Sequence, residues 1–321
     1  MKKILVLLAV LFAASAGLDA QIVKSKVIDN GGSGPYKAIA ASEESLPDFV
    51  VYRPETFPEN AGFPVIVFGN GGCANSSLGH ERFLSDLASY GYVIVAIGPF
   101  QESRPMPGPG AQGGPRPQGA PRPQGAPSGQ GVPRPQGGPG GPGAPMMVSS
   151  ESYRMYQALD WITNQANNPS SEYHGAVDAS LAAAMGMSCG GCQAIYLAHD
   201  PRIKTLLVMN SGMGAMTLAN ATPAFVQAIH CPTVYIIGGE TDIAYKNAEI
   251  DYEAFPNQPV SWVNLPVGHG GTYAQEFGGE FSRMARTWLD YILKGKKEGE
   301  RLFKYCDVTG FEEWTIQSKY F

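Results

Sequence analysis

Gly186-Met187-Ser188-Cys189-Gly190-Gly191-Cys192 (GMSCGGC) carries two overlapping patterns with different consequences. Read from Gly186 it is G-x-S-x-G, a sharp strand-to-helix turn that presents a serine nucleophile. Read from Cys189 it is C-x-x-C, a redox or metal-binding spacing. The flanks decide between them. Leu181 to Met187 is an apolar run of strand length, and Cys189 to His199 reads as a helix. A serine between a strand and a helix, with glycines where side chains would clash, is the context the first pattern requires. A C-x-x-C at a helix N-terminus would have a lowered thiol pKa. The chain nevertheless lacks the compact order of a small redox domain, and the motif lacks a second ligand pair for zinc. Ser188 is therefore the candidate nucleophile.

Working outward, the same alternation repeats. Phe63 to Gly69 (FPVIVFG), Tyr92 to Gly98 (YVIVAIG), Thr205 to Met209, Thr233 to Ile237 and Val260 to Leu265 read as short buried strands. Leu78 to Ser89, Ser150 to Ala166 (capped by Ser149 or Ser150) and Phe281 to Leu293 have helical spacing. Tyr36 to Arg53 is expected to supply two antiparallel edge strands. Short strands alternating with helices predict an α/β fold, a mostly parallel central sheet with helices on both faces. Ligand crevices of such sheets lie at the carboxyl ends of the strands. The loops after Phe68, around Ser188, after Ile237 and after Leu265 should therefore meet.

A serine hydroxyl needs a base, and histidine is the side chain whose pKa lies near working pH. Of the five histidines, only His269 stands in a glycine loop (VGHGG) just after a strand. His80, His174, His199 and His230 are expected at the surface or at helix ends. The loop after Thr233 to Ile237 (GGETD) offers two acids to orient the base, with Asp242 preferred and Glu240 the alternative. An oxyanion needs N–H donors. The amide of Cys189 is one candidate. The glycine-rich turn Gly69 to Cys73 should supply the other, Cys73 first and Gly72 next. This chemistry requires no metal and no organic cofactor.

Composition narrows the setting. The chain has 321 residues, is 44% hydrophobic and carries a formal charge of −5. Such a chain can bury a full core and has no basic face suited to nucleic acid. MKKILVLLAVLFAASAGLDAQ has the charged start, short apolar run and small-x-small site of a secretory signal peptide over residues 1–20, cleaved after Ala16 or Ala20. A secreted or periplasmic location follows, with no membrane span in the mature form. Residues 104–147 are almost wholly Pro, Gly, Gln, Ala and Arg, with PRPQG starting at Pro115, Pro121 and Pro133. Such a composition does not build a core. It is read as a disordered insert in a single domain spanning 21–321. No oligomeric state is read from the sequence.

The order Ser188, Asp242, His269, the GMSCGG turn, the Gly-Gly-Cys turn with its LASYGYVIVAI helix and strand, CPTVYIIGGETDIA and the closing EEWTIQSK together resemble α/β-hydrolases of the dienelactone-hydrolase and cutinase-like polyester-hydrolase type. The likeness runs from about Phe63 to the C-terminus, interrupted by the insert. It implies a serine esterase, with polyesters, plant cell-wall acyl esters and short-chain esters as candidate substrates; the methionines and the glycine-rich entrance suit an apolar acyl group. A serine peptidase on the same scaffold and a non-catalytic, hydrolase-like binding protein are the alternatives. The likeness also implies that Met187 and Cys189 line the acyl pocket, with Met213 and Met216 as further candidates. Cys73 falls where that family carries its oxyanion-hole aromatic, and Met187 where polyester hydrolases carry Trp or His.

Five cysteines are present: Cys73, Cys189, Cys192, Cys231 and Cys306. Export favours disulfides. As the two oxyanion donors, Cys73 and Cys189 should be bonded or in contact. Pairing of Cys189 with Cys192 is an alternative, strained by helix geometry, and Cys231 with Cys306 a further possible bridge.

Overall fold

The computed structural model describes residues 20–102 and 151–321. The expected signal peptide, apart from Ala20, and the Pro/Gly-rich insert lie outside the described residues.

The strands are β1 (Ile22–Lys26), β2 (Ala38–Glu43), β3 (Leu46–Pro54), β4 (Phe63–Gly69), β5 (Val93–Ile97), β6 (Val177–Met187), β7 (Ile203–Met209), β8 (Thr233–Ile237), β9 (Val260–Asn264) and β10 (Thr315–Lys319). The helices are α1 (Glu81–Ser89), α2 (Tyr153–Asn167), α3 (Cys189–Leu197), α4 (Pro223–Gln227), α5 (Tyr245–Ala254) and α6 (Gly279–Lys294). All ten strands form one sheet in the order β1-β2-β3-β5-β4-β6-β7-β8-β9-β10. The run from β5 to β9 is parallel. The strands β1, β2 and β3 on one side and β10 on the other pair antiparallel. The fold is thus α/β, with a parallel centre in a mixed sheet.

The central strands are apolar along their length because both faces are covered. Successive side chains of a strand point to opposite faces. Accordingly Val65 and Val67 of β4 join a cluster with Leu159 and Ile162 of α2 and Ile195 of α3. Ile66 and Phe68 of the same strand join a second cluster with Phe83 and Leu87 of α1 and Trp288 of α6. In α6, Phe281, Met284, Ala285, Trp288 and Leu289 recur at helical spacing and are fully buried. Trp288 Nε1 donates to Thr205 Oγ1 at 2.8 Å, so the indole N–H is not left unpaired. Gly295, left-handed at φ 65°, ends the helix.

One expectation about the sheet edges is revised, and one edge strand was not foreseen. Residues 36–53 do supply an antiparallel pair, β2 and most of β3, but β1 lies outside that pair and forms the edge. The opposite edge is β10, whose half-exposed alternation left no apolar run to mark it.

Register places the functional loops. Gly69 pairs with Gly186, Met187 with Met209, Met209 with Ile236, and Ile237 with Asn264. The carboxyl ends of β4, β6, β7, β8 and β9 therefore finish side by side. The loops that follow share one rim of the sheet.

Candidate active site

Ser188 sits between β6 and α3 at φ 54° and ψ −122°, a left-handed conformation that a side-chain-bearing residue rarely adopts. Such a conformation costs on the order of 1–3 kcal/mol and persists where the surroundings over-determine it. Those surroundings are visible. Ser188 N–H donates to the Met209 carbonyl at 2.9 Å, and the Ser188 carbonyl accepts from Gly191 N–H at 2.8 Å and Ser211 Oγ at 2.6 Å. The tightness of the turn also requires its flanking glycines. A Cβ on Gly186 would lie 2.1 Å from the Gly190 carbonyl oxygen, and one on Gly190 would lie 2.1 Å from the Gly69 carbonyl oxygen. No side chain fits at either place.

Ser188 Oγ is 3.0 Å from His269 Nε2, and His269 Nδ1 is 2.6 Å from Asp242 Oδ1. A carboxylate on Nδ1 holds the proton there. Nε2 then presents its lone pair to the serine hydroxyl. Asp242 is fully buried at its side chain, while His269 is partly open to solvent. Burial alone would disfavour the Asp242 charge. Hydrogen bonds from His269, the Ala244 and Gly238 N–H groups and Asn210 outweigh it, and hold the carboxyl below the usual range. Glu240, the alternative acid, is exposed, and the structure brings Asp242 to the imidazole instead.

Cys73 and Cys189 form a disulfide with Cα atoms 5.1 Å apart. This joins the turn after β4 to the first residue of α3. Cys189 opens that helix, so its amide belongs to the first-turn donors that have no acceptor within the helix. The bridge also settles the overlapping motif. Cys189 is not paired with Cys192, which is a buried free thiol pushed up to about 11 by burial. Cys231 and Cys306 are free as well, one buried and one exposed, so the expected bridge between them is absent.

A cleft of about 210 Å³ opens beside Ser188 and His269. Met216, Leu218, Ile243 and Ala244 supply most of its apolar wall, and Asn247 a polar group. Of the methionines singled out from the sequence, Met216 lines this cleft. Met213 is fully buried, its N–H donating to Asp251 Oδ2 at 2.6 Å. Met187 is buried with its sulfur against Gly71. A roomier groove of about 400 Å³ runs along α6, lined by Arg283, Arg286, Asp290 and Lys296. Its lining residues include no serine, cysteine or histidine, whereas Ser188 and His269 line the smaller cleft.

His80 stands at the start of α1, one of the two expected places, but it is buried, between the rings of Phe68 and Tyr273, and burial lowers its pKa to about 4. Sequence reading also passed over Asn210, Ser211, Ile243 and Asn247, which line the cleft. Asn210 and Ser211 carried one usable signal, since they directly follow an apolar strand on the functional rim. No family model matches the chain, and no curated protein matches it either.

Proposed function

We propose that the chain is an exported serine hydrolase of the α/β-hydrolase fold that cleaves carboxylic esters. The observation that carries this reading is the continuous hydrogen-bonded line from Ser188 Oγ through His269 to buried Asp242, at 3.0 and 2.6 Å. Ser188 Oγ attacks the ester carbonyl while His269 Nε2 takes its proton. Asp242 keeps the imidazole in the required tautomer and stabilises the imidazolium. The Cys189 and Cys73 amides face the oxyanion that develops. As the tetrahedral intermediate collapses, His269 returns the proton to the departing alcohol, leaving an acyl-serine. Water, deprotonated by the same imidazole, releases the acid and restores Ser188.

The wall of Met216, Leu218, Ile243 and Ala244 suits an apolar acyl group, and a cleft of about 210 Å³ admits a short one. Ile243 is 78% exposed at the mouth, where a longer ester or a polymer chain would lie. The Cys73–Cys189 disulfide is in keeping with an oxidising compartment. An aryl or alkyl fluorophosphonate tests the reading directly. It should add one phosphonyl group, found by peptide mass on the fragment containing Ser188 and blocked by Asp242→Asn and His269→Ala. Absence of labelling, or labelling on another residue, overturns it.

A further inference from the structure

We infer that Asn210 and Tyr273 are positioning residues that hold Asp242 against His269, closing a ring of hydrogen bonds around the base. The inference rests on the esterase reading above and adds two side chains to it. Asp242 Oδ2 accepts from Asn210 Nδ2 at 2.7 Å and from Gly238 N–H at 3.0 Å. Oδ1 accepts from His269 Nδ1 and from Ala244 N–H at 2.9 Å. Both carboxylate oxygens are therefore occupied by fixed donors, and the plane of the carboxylate is set.

One of these donors has an orientation of its own to fix. An amide can present its NH₂ or its C=O to a neighbour. Here Tyr273 OH donates to Asn210 Oδ1 at 2.6 Å, so the NH₂ end must face Asp242. The phenol keeps its proton, because burial first, and the Asp242 charge second, raise its pKa well above the ordinary value, and the Asp242 carboxylate, which can only accept, requires the NH₂ end on its side. The Tyr273 ring is itself buried, with Phe83, Phe281 and His80 packed edge-on around it. Tyr273 lies four residues after His269 on the same loop. The path from His269 to Asp242, Asn210 and Tyr273 thus returns to the loop that carries the base. Asn210 fits this place for a second reason. Its φ is 43°, in the left-handed region that asparagine tolerates better than most residues.

Three variants test the ring, each compared with Ser188→Ala on a p-nitrophenyl ester. Tyr273→Phe removes one hydroxyl and keeps the ring. It should lower kcat about 5- to 20-fold with little change in KM. Asn210→Gly keeps the left-handed backbone accessible and removes the amide. It should lower kcat about 10- to 100-fold, and adding Tyr273→Phe to it should cost less than 2-fold more. Asn210→Asp is isosteric and supplies the pH readout. While protonated, its carboxyl donates to Asp242 in place of the amide, and once ionised it repels Asp242. Its activity relative to Asn210→Gly should therefore fall as pH rises from about 5 to 8. A merely structural role predicts a pH-independent ratio and additive losses from Tyr273→Phe and Asn210→Gly, and either result overturns the inference. Wild-type kcat in Tyr273→Phe also overturns it. Failure of the esterase reading looks different, because Ser188→Ala would then keep full activity whatever the other variants do.

Discussion

In the proposed chemistry Ser188 acts as a nucleophile only while His269 Nε2 carries a lone pair, and the Asp242 contact to Nδ1 is what would keep it there. Asp242→Asn presents an amide to Nδ1 and favours the wrong tautomer. Loss of kcat should be on the order of 10⁴-fold, with the protein still folded. Exposed Glu240, two residues away, should tolerate Glu240→Gln with less than a 2-fold change. Ester turnover measured on both variants separates the two acids. These residues differed in how visible they were beforehand. Ser188 and His269 stood in glycine-rich loops after strands, and that local pattern alone picks them out. Asp242 and Glu240 share one loop and one chemistry, and only the turn geometry decides which reaches the imidazole. Asn210 and Tyr273 left little trace, because an asparagine after a strand and a tyrosine in a loop are ordinary. Their importance comes from partners 32 and 63 residues away in the chain.

At the scale of elements, two connections shape the site. The Cys73–Cys189 bridge ties the turn after β4 to α3 across a sequence separation of 116 residues. Closing so long a loop in the unfolded chain corresponds to roughly 4–5 kcal/mol in the chain-entropy account. Reduction, or Cys73→Ser with Cys189→Ser, should therefore lower Tm by several degrees. It should also lower kcat more than it raises KM, since the amides it holds are the proposed oxyanion donors. A thermal melt and steady-state kinetics with and without reductant check both. The second connection is Asp251 of α5, which accepts from the Met213 and Gly214 N–H groups at 2.6 and 2.8 Å. It clamps the loop that carries Met216 and Leu218 into the cleft. Asp251→Ala should accordingly raise KM more than it lowers kcat. Burial raises the Asp251 pKa from 3.8 to about 6, against the pull of its donors. The folded state thus holds this proton more tightly than the unfolded state between those values. Stability relative to Asp251→Asn should fall as pH rises from about 4 to 6 and level off above, as Tm across that range would show.

At the scale of the whole molecule, a sheet with a parallel centre brings five strand ends to one rim, which carries Ser188, His269 and Asp242. This much was legible, because strands buried on both faces read as unbroken apolar runs such as FPVIVFG and YVIVAIG. The margins were not. β1 and β10 are half-exposed edge strands whose identity depends on the neighbour they pair with rather than on their own residues. Cysteine pairing was legible only in part. Cys73 and Cys189 share a functional reason to be close, whereas Cys231 and Cys306 share none, and one is buried while the other is exposed. Alkylation of the native, non-reduced protein should therefore modify Cys306 and leave the Cys73–Cys189 peptide bridged in a mass map. The proposed chemistry depends on one hydroxyl, that of Ser188. Initial rates on a p-nitrophenyl ester of a short fatty acid, wild type against Ser188→Ala, test it most directly. A loss of at least 10³-fold in kcat with an unchanged fold is the predicted result; turnover by Ser188→Ala at the wild-type rate would contradict it.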